Sequence, residues 1–78
     1  MRTKLENALD ASGTNHHPAF GIPDGVAAVV WNDKRVWIAE MDEDGNISEV
    51  EYDADQLNQV KGGTREKALA LDEWMRGE

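Results

Sequence analysis

A run of β-branched and aromatic residues in the middle of the chain does most to limit the folds available to it. Residues 26–31 and 36–41 both have strand-like composition, and the polar stretch 32–35 between them can form a turn. Asp44-Gly45 is a dipeptide typical of two-residue β-hairpin turns, and residues 47–53 after it alternate between apolar and polar side chains. The block predicts a three-stranded antiparallel meander.

The two turns together predict the register of this meander. The first turn places Val30 opposite Trp37, and a two-residue turn at Asp44-Gly45 places Glu40 directly opposite Glu49. Such a pair of like charges destabilises a sheet. In this register one face is continuously apolar, and we expect it to be the core face: Val26, Ala28, Val30, Trp37, Ala39, Met41, Val50 and Tyr52.

The opposite face carries a second apolar patch around Trp31. Its other members are Val29, Val36 and Ile38. Either the first helix of the chain covers this patch or the patch is exposed, and the sequence leaves both possibilities open. An exposed aromatic patch would be suited to binding a partner.

Helix signals stand on both sides of the strand block. Thr3 and Glu6 have the spacing of a capping box at the start of an apolar stripe. Asp53 and Thr64 each precede a further helical pattern, and either side chain can accept hydrogen bonds from the first helical amides.

The stretch between the first helix and the first strand is rich in Gly and Pro, and residues 13–25 are therefore predicted to be a loop. The whole pattern predicts a single small α+β domain over residues 1–78, in the order α-β-β-β-α-α. We expect the three-stranded antiparallel meander to pack against the two C-terminal helices.

Composition argues against several classes of function. The 78-residue chain has no Cys, two Ser and no Gly-rich phosphate loop, so we expect neither an enzyme nor a bound cofactor. Adjacent His16 and His17 in a polar loop do not suggest a metal site. Without a secretory signal or a membrane-length apolar run, we expect a cytoplasmic protein that does not bind membranes.

The charge of the chain is concentrated in one segment. Residues 36–60 hold eight of the 16 acidic residues and no Lys or Arg, so this segment accounts for the whole net charge of −8. The remaining acids are balanced by the eight scattered Lys and Arg residues, which argues against direct nucleic-acid binding. The candidate partner-binding residues are these acids together with Trp31: Glu40, Asp42, Glu43, Asp44, Glu49, Glu51, Asp53 and Asp55.

Regular spacing gives this acidic segment a functional interpretation. Strand residues two apart lie about 6.7 Å apart on one face, so Glu49, Glu51 and Asp53 would form a row of anions. We expect a binding protein that engages a basic surface which normally holds nucleic acid, and that acts as a decoy or inhibitor. In charge and element order alone, the prediction is similar to some phage-encoded inhibitors of CRISPR nucleases and to antitoxins that neutralise basic ribonucleases.

Two alternatives remain open. Residues 40–51 resemble an EF-hand calcium loop, with Glu40, Asp42, Asp44 and Glu51 at ligand positions, although the flanking residues favour strands. The patch around Trp31 could instead join copies of the chain in a small oligomer, as a structural or assembly subunit.

Overall fold

The computed structural model describes residues 3–77. It confirms an α+β fold, and helices lie on both sides of an antiparallel sheet. The elements in chain order are α1 (Lys4–Ala11), β1 (Asn15–His16), β2 (Phe20–Ile22), β3 (Gly25–Trp31), β4 (Val36–Asp42), β5 (Ile47–Val50), α2 (Ala54–Asn58) and α3 (Thr64–Arg76).

Two of the three predicted N-caps are formed. The Thr3 and Glu6 capping box is formed in both directions, and Asp53 caps α2. Thr64 is not a cap: α3 already begins at this residue, after Gly63, which makes no side-chain cap. The Thr64 hydroxyl instead donates a hydrogen bond to the Asn32 carbonyl, which links the start of α3 to the β3–β4 turn.

The prediction of a loop over residues 13–25 was wrong, because this stretch forms β1 and β2. Both short strands pair antiparallel with β3, at Asn15↔Trp31 and Phe20↔Ala27. Between them the His17 amide donates to the Val29 carbonyl at 3.0 Å. Gly and Pro signal an interruption, but they cannot show that β3 needs hydrogen-bond partners on that side.

The sheet order is β1-β3-β4-β5, with β2 also paired to β3. Leu5 and Leu9 of α1 cover one face, against the core residues Ala28, Val30, Trp37, Ala39 and Met41. Leu57 of α2 and Ala68 and Leu71 of α3 cover the other face, against Ala27, Val29, Val36 and Ile38.

This arrangement corrects the predicted packing. The predicted core face lies under α1 and not under the C-terminal helices, and the patch around Trp31 lies under α3 and not under α1. Both faces of the β3–β4 pair are apolar, so both need a cover. Periodicity identifies the two faces but does not say which helix packs on which.

The predicted register is confirmed for β3–β4, where Val30 pairs with Trp37. For β4–β5 it was wrong by one residue: Val50 pairs with Ile38, and Glu40 lies opposite Ser48, so the expected Glu40–Glu49 pair does not form. The shift turns the side chain of each β5 residue to the other face, and Val50 is removed from the predicted core face.

The turn between β4 and β5 explains the shift. The Asp42 carbonyl accepts from the Gly45 amide and the Asp42 amide donates to the Asn46 carbonyl, both at 3.0 Å. The loop therefore has three residues, and Gly45 adopts a φ of 88°. A type I turn followed by a left-handed glycine has this geometry, and it adds one residue to the two-residue turn assumed from Asp44-Gly45.

Candidate functional site

The eight predicted binding carboxylates lie along the last hairpin of the sheet and at the start of α2. We call residues 40–51 the acidic hairpin. Every residue from Asp42 to Glu51 is exposed, including both faces of β5, whereas Glu40 is half-buried. Neither helix layer covers this end of the sheet, so the acidic hairpin is available to a partner.

Asp42 shapes the turn of the acidic hairpin. Its Oδ1 accepts hydrogen bonds from the backbone amides of Asp44 and Asn46, both at 2.9 Å, and its Oδ2 accepts one from the Asn46 side chain at 3.2 Å. These bonds, chiefly that from the Asn46 amide, hold the pKa of Asp42 below its ordinary value. Asp42 is thus an anion whose carboxylate stabilises the turn.

Asp53 also has a structural task. Its Oδ1 accepts from the amides of Asp55 at 2.9 Å and Gln56 at 3.4 Å, and this caps α2. The carboxylate remains exposed. It therefore contributes charge to the surface while it orients the start of α2, where Asp55 follows.

Arg35 changes the predicted row of anions. It forms an ion pair with Glu51, and its Nη1 lies 3.5 Å from Glu49 Oε1. Its guanidinium carbon also lies 4.2 Å from the ring centroid of Trp37. Glu49 and Glu51 are therefore partly neutralised, so the predicted row of Glu49, Glu51 and Asp53 is not composed entirely of free anions.

Sequence reasoning missed Arg35 because it lies just outside the acidic segment. A usable signal was present: Arg35 and Trp37 share one face of β4, since strand residues alternate. In the observed register Glu49 lies opposite Ala39 on that same face. Correct placement of the β4–β5 turn would have brought the two charges together.

Four of the eight candidate carboxylates have no partner within residues 3–77. Neither a hydrogen bond nor an ion pair involves their side chains. These four are Glu40, Glu43, Asp44 and Asp55. Glu43 and Asp44 are exposed at the tip of the acidic hairpin, so the free negative charge is centred there.

The geometry gives no support to the calcium interpretation of residues 40–51. This segment consists of the end of β4, a tight turn and β5, and not of a loop between two helices. Asp42 already accepts three hydrogen bonds from its own turn. Across residues 3–77, no group of three or more His, Asp or Glu side chains is placed to hold a metal ion.

Trp31 lies away from the turn of the acidic hairpin. It lies at the far end of β3, about 20 Å from the position of Gly25, which pairs with Asp42 beside the turn. Its ring packs on that of His17, with centroids 4.7 Å apart and a 34° tilt. Both rings line an open cleft of about 470 Å³, together with Arg65, Glu66 and Leu69.

The other members of the patch around Trp31 are not exposed. Val29, Val36 and Ile38 are 0%, 7% and 4% exposed because the C-terminal helices cover them. The assembly hypothesis needed this patch on the surface, so it loses its main support. Only Trp31 itself remains half-buried at the rim.

The two histidines have separate surroundings. His16 Nε2 lies 2.8 Å from Asp10 Oδ1 and links β1 to α1. His17 Nε2 is buried, and within residues 3–77 it has no hydrogen-bond partner. The two rings therefore contact different parts of the structure.

Comparison with protein-family models, with curated proteins and with solved structures gave no significant match. None of the helices within residues 3–77 has the length and apolar character needed to cross a membrane. The functional argument therefore depends on the geometry and charge of the acidic hairpin.

Proposed function

We propose that this protein is a non-enzymatic binding protein whose acidic hairpin engages a basic surface on a partner protein. The observation that carries the proposal is the placement of unpartnered carboxylates, above all Glu43 and Asp44, on a hairpin that is exposed on both faces of β5. The proposal places the protein in the cytoplasm and involves neither membranes nor direct contact with nucleic acid.

Internal neutralisation of the acidic hairpin is incomplete. Arg35 compensates Glu49 and Glu51, but no cation within residues 3–77 lies within ion-pair distance of Glu43 or Asp44. Uncompensated like charges destabilise a compact fold through repulsion. A cationic partner would relieve that repulsion, and the exposed charges would also accelerate its association.

The nature of the basic surface follows from the number of anions. Protein surfaces rich in Lys and Arg that can satisfy several carboxylates at once are typical of nucleic-acid-binding proteins. A protein that occupies such a surface competes with the nucleic acid, and so acts as a decoy or inhibitor. Phage inhibitors of nucleases and antitoxins against ribonucleases would behave in this way.

A competition experiment tests the proposal. Proteins from the native host that bind the immobilised chain at low salt are eluted with a salt gradient and identified. Each is then incubated with a labelled nucleic acid and increasing amounts of the 78-residue protein. We expect displacement of the nucleic acid, weakened steeply by salt because the contacts are electrostatic.

A matched pair of charge reversals assigns the effect to the acidic hairpin. Asp44→Lys and Asp33→Lys make the same charge change in exposed turns at opposite ends of β4. We expect Asp44→Lys to weaken partner binding at least about tenfold, or roughly 1.4 kcal/mol, and Asp33→Lys to have little effect. Equal effects of the two reversals, or binding that is insensitive to salt, would contradict the proposal.

A further inference from the structure

We infer that the partner supplies its basic surface as an extended segment, which adds to the outer edge of β5 as a further strand of the sheet. This inference rests on the proposed function and names the form of the partner. Its basis is the geometry of β5, which combines an unpaired backbone edge, exposed apolar side chains and nearby negative charge.

The backbone of β5 has free hydrogen-bonding groups at its outer edge. β5 is the last strand of the sheet and pairs only with β4 among residues 3–77. Hydrogen-bonded pairs alternate along an antiparallel ladder. Since the Asp42 amide donates to the Asn46 carbonyl, the amides and carbonyls of Ile47 and Glu49 point away from β4.

The side chains of β5 also suit an added strand. Ile47 is 50% exposed and Val50 is 39% exposed, and together with Leu69 they are the exposed large hydrophobic residues of the described part of the chain. Ile47 and Val50 lie on opposite faces of β5, because strand residues alternate. A strand paired at the β5 edge would place side chains beside both.

The other edge of the sheet is less suitable. There β1 and β2 are short and separate, and Pro18 lies between them without an amide hydrogen to donate. β5 provides an uninterrupted edge of four residues. Among the described residues, β5 therefore offers an extended segment the longer regular edge.

The negative charge around β5 indicates which kind of segment can pair with its outer edge. Glu43 and Asp44 lie before β5, Glu49 lies on it and Glu51 follows it. A second copy of the chain at the same edge would bring two acidic hairpins together, and like charges repel. A segment in which Lys or Arg alternates with apolar residues would place its cations on the face of Glu49 and its apolar side chains on the opposite face, beside Val50.

The experiment uses three synthetic octapeptides with equal charge as probes. One alternates Lys and Val, the second is the same peptide with alternate backbone amides N-methylated so that one edge cannot donate, and the third alternates Lys and Gly. Affinity for the intact protein is measured by calorimetry. We expect the Lys-Val peptide to bind at least about tenfold more tightly than either of the other two.

Amide hydrogen exchange gives a readout that charge alone would not alter. With the Lys-Val peptide bound, exchange of the Ile47 and Glu49 amides should slow by at least about tenfold, while the inward-facing Ser48 and Val50 amides should change little. Equal affinity for the three peptides, or binding without protection of Ile47 and Glu49, would overturn strand addition and leave the proposed function intact.

Two further outcomes would also overturn the inference. If none of the peptides binds at low salt, then strand addition fails, and the competition experiment with native partners decides separately on the proposed function. If the protein alone becomes a dimer at high concentration and protects Ile47 and Glu49 from exchange, then the occupant of the β5 edge is a second copy and not a basic segment.

Discussion

Gly25 begins β3 at a point where the backbone of β4 leaves no room for a side chain. A Cβ atom placed on Gly25 would lie 2.0 Å from the Met41 carbonyl oxygen and 3.0 Å from the carbonyl carbon, and the residue has a φ of +157°. Carbon–oxygen contacts between neighbouring strands are ordinarily about 3.3–3.6 Å. Gly25→Ala must therefore move β3 away from β4, since Cβ is held rigidly by its own backbone and the Met41 carbonyl is itself backbone.

The expected cost has two parts. Overpacking of this kind costs about 1–3 kcal/mol, and a backbone conformation unfavourable for L-residues costs roughly 1–2 kcal/mol. Gly25→Ala should therefore lower the free energy of unfolding by about 2–5 kcal/mol. A chain of 78 residues has a total of roughly 4–12 kcal/mol, so the loss is a large fraction of it.

Two other glycines separate these contributions. Gly45 has a φ of +88° but nothing within 4 Å of its added Cβ, so Gly45→Ala should show the conformational cost alone. Gly21 has neither constraint. Gly21→Ala should be neutral or stabilise by up to about 1 kcal/mol, because it restricts the unfolded chain.

Urea denaturation followed by tryptophan fluorescence and far-UV circular dichroism measures these differences. The expected order of destabilisation is Gly25→Ala, then Gly45→Ala, then Gly21→Ala. If Gly25→Ala were as stable as Gly21→Ala, the close approach of Gly25 to Met41 would be wrong, and so would the β3–β4 register that positions the acidic hairpin.

Three further predictions concern the core and the charges. Leu71→Ala should lower the free energy of unfolding by about 2–5 kcal/mol, measured by urea denaturation, because Leu71 is fully buried. Leu69→Ala on the exposed side of α3 should lower it by less than about 0.5 kcal/mol. Equal costs would contradict the packing of α3. The lowered pKa of Asp42 means that its carboxylate stabilises the fold above the ordinary value of 3.8 and that this contribution is lost as the pH falls through the folded pKa. The stability difference between wild type and Asp42→Asn should thus narrow in acid, and a difference independent of pH would refute the assignment. Arg35→Gln should lower the free energy of unfolding by less than about 1 kcal/mol, because the ion pairs of Arg35 are exposed. The same substitution should tighten binding of the Lys-Val octapeptide, because it frees Glu49 and Glu51. Weaker binding in calorimetry would count against the role of these carboxylates.

Local signals predicted much of the fold. The β-branched runs, the polar turn between them and the capping residues Thr3 and Asp53 act within a few residues, so the sequence suffices to locate strands β3 and β4 and the starts of α1 and α2. The β3–β4 register was predictable for the same reason. The concentration of acidic residues between 36 and 60 is a property of the sequence itself.

The candidate site was only partly predictable. The sequence located all eight carboxylates, but it could not distinguish the free ones from Asp42 and Asp53, which accept backbone hydrogen bonds. The exposure of Trp31 depends on which helix covers which face. That choice is made by packing, since both faces of the β3–β4 pair are apolar.

The sequence by itself determined where strands can form and where the negative charge lies, because these depend on residue type and short-range spacing. The tertiary structure decided how much of that charge is free. One additional residue in the turn after Asp42 shifts the β4–β5 register by one position. In this register Arg35 forms ion pairs with Glu49 and Glu51. The same turn directs the Ile47 and Glu49 amides outward, because alternation along a strand converts a single-residue shift into a change of direction for every group on it.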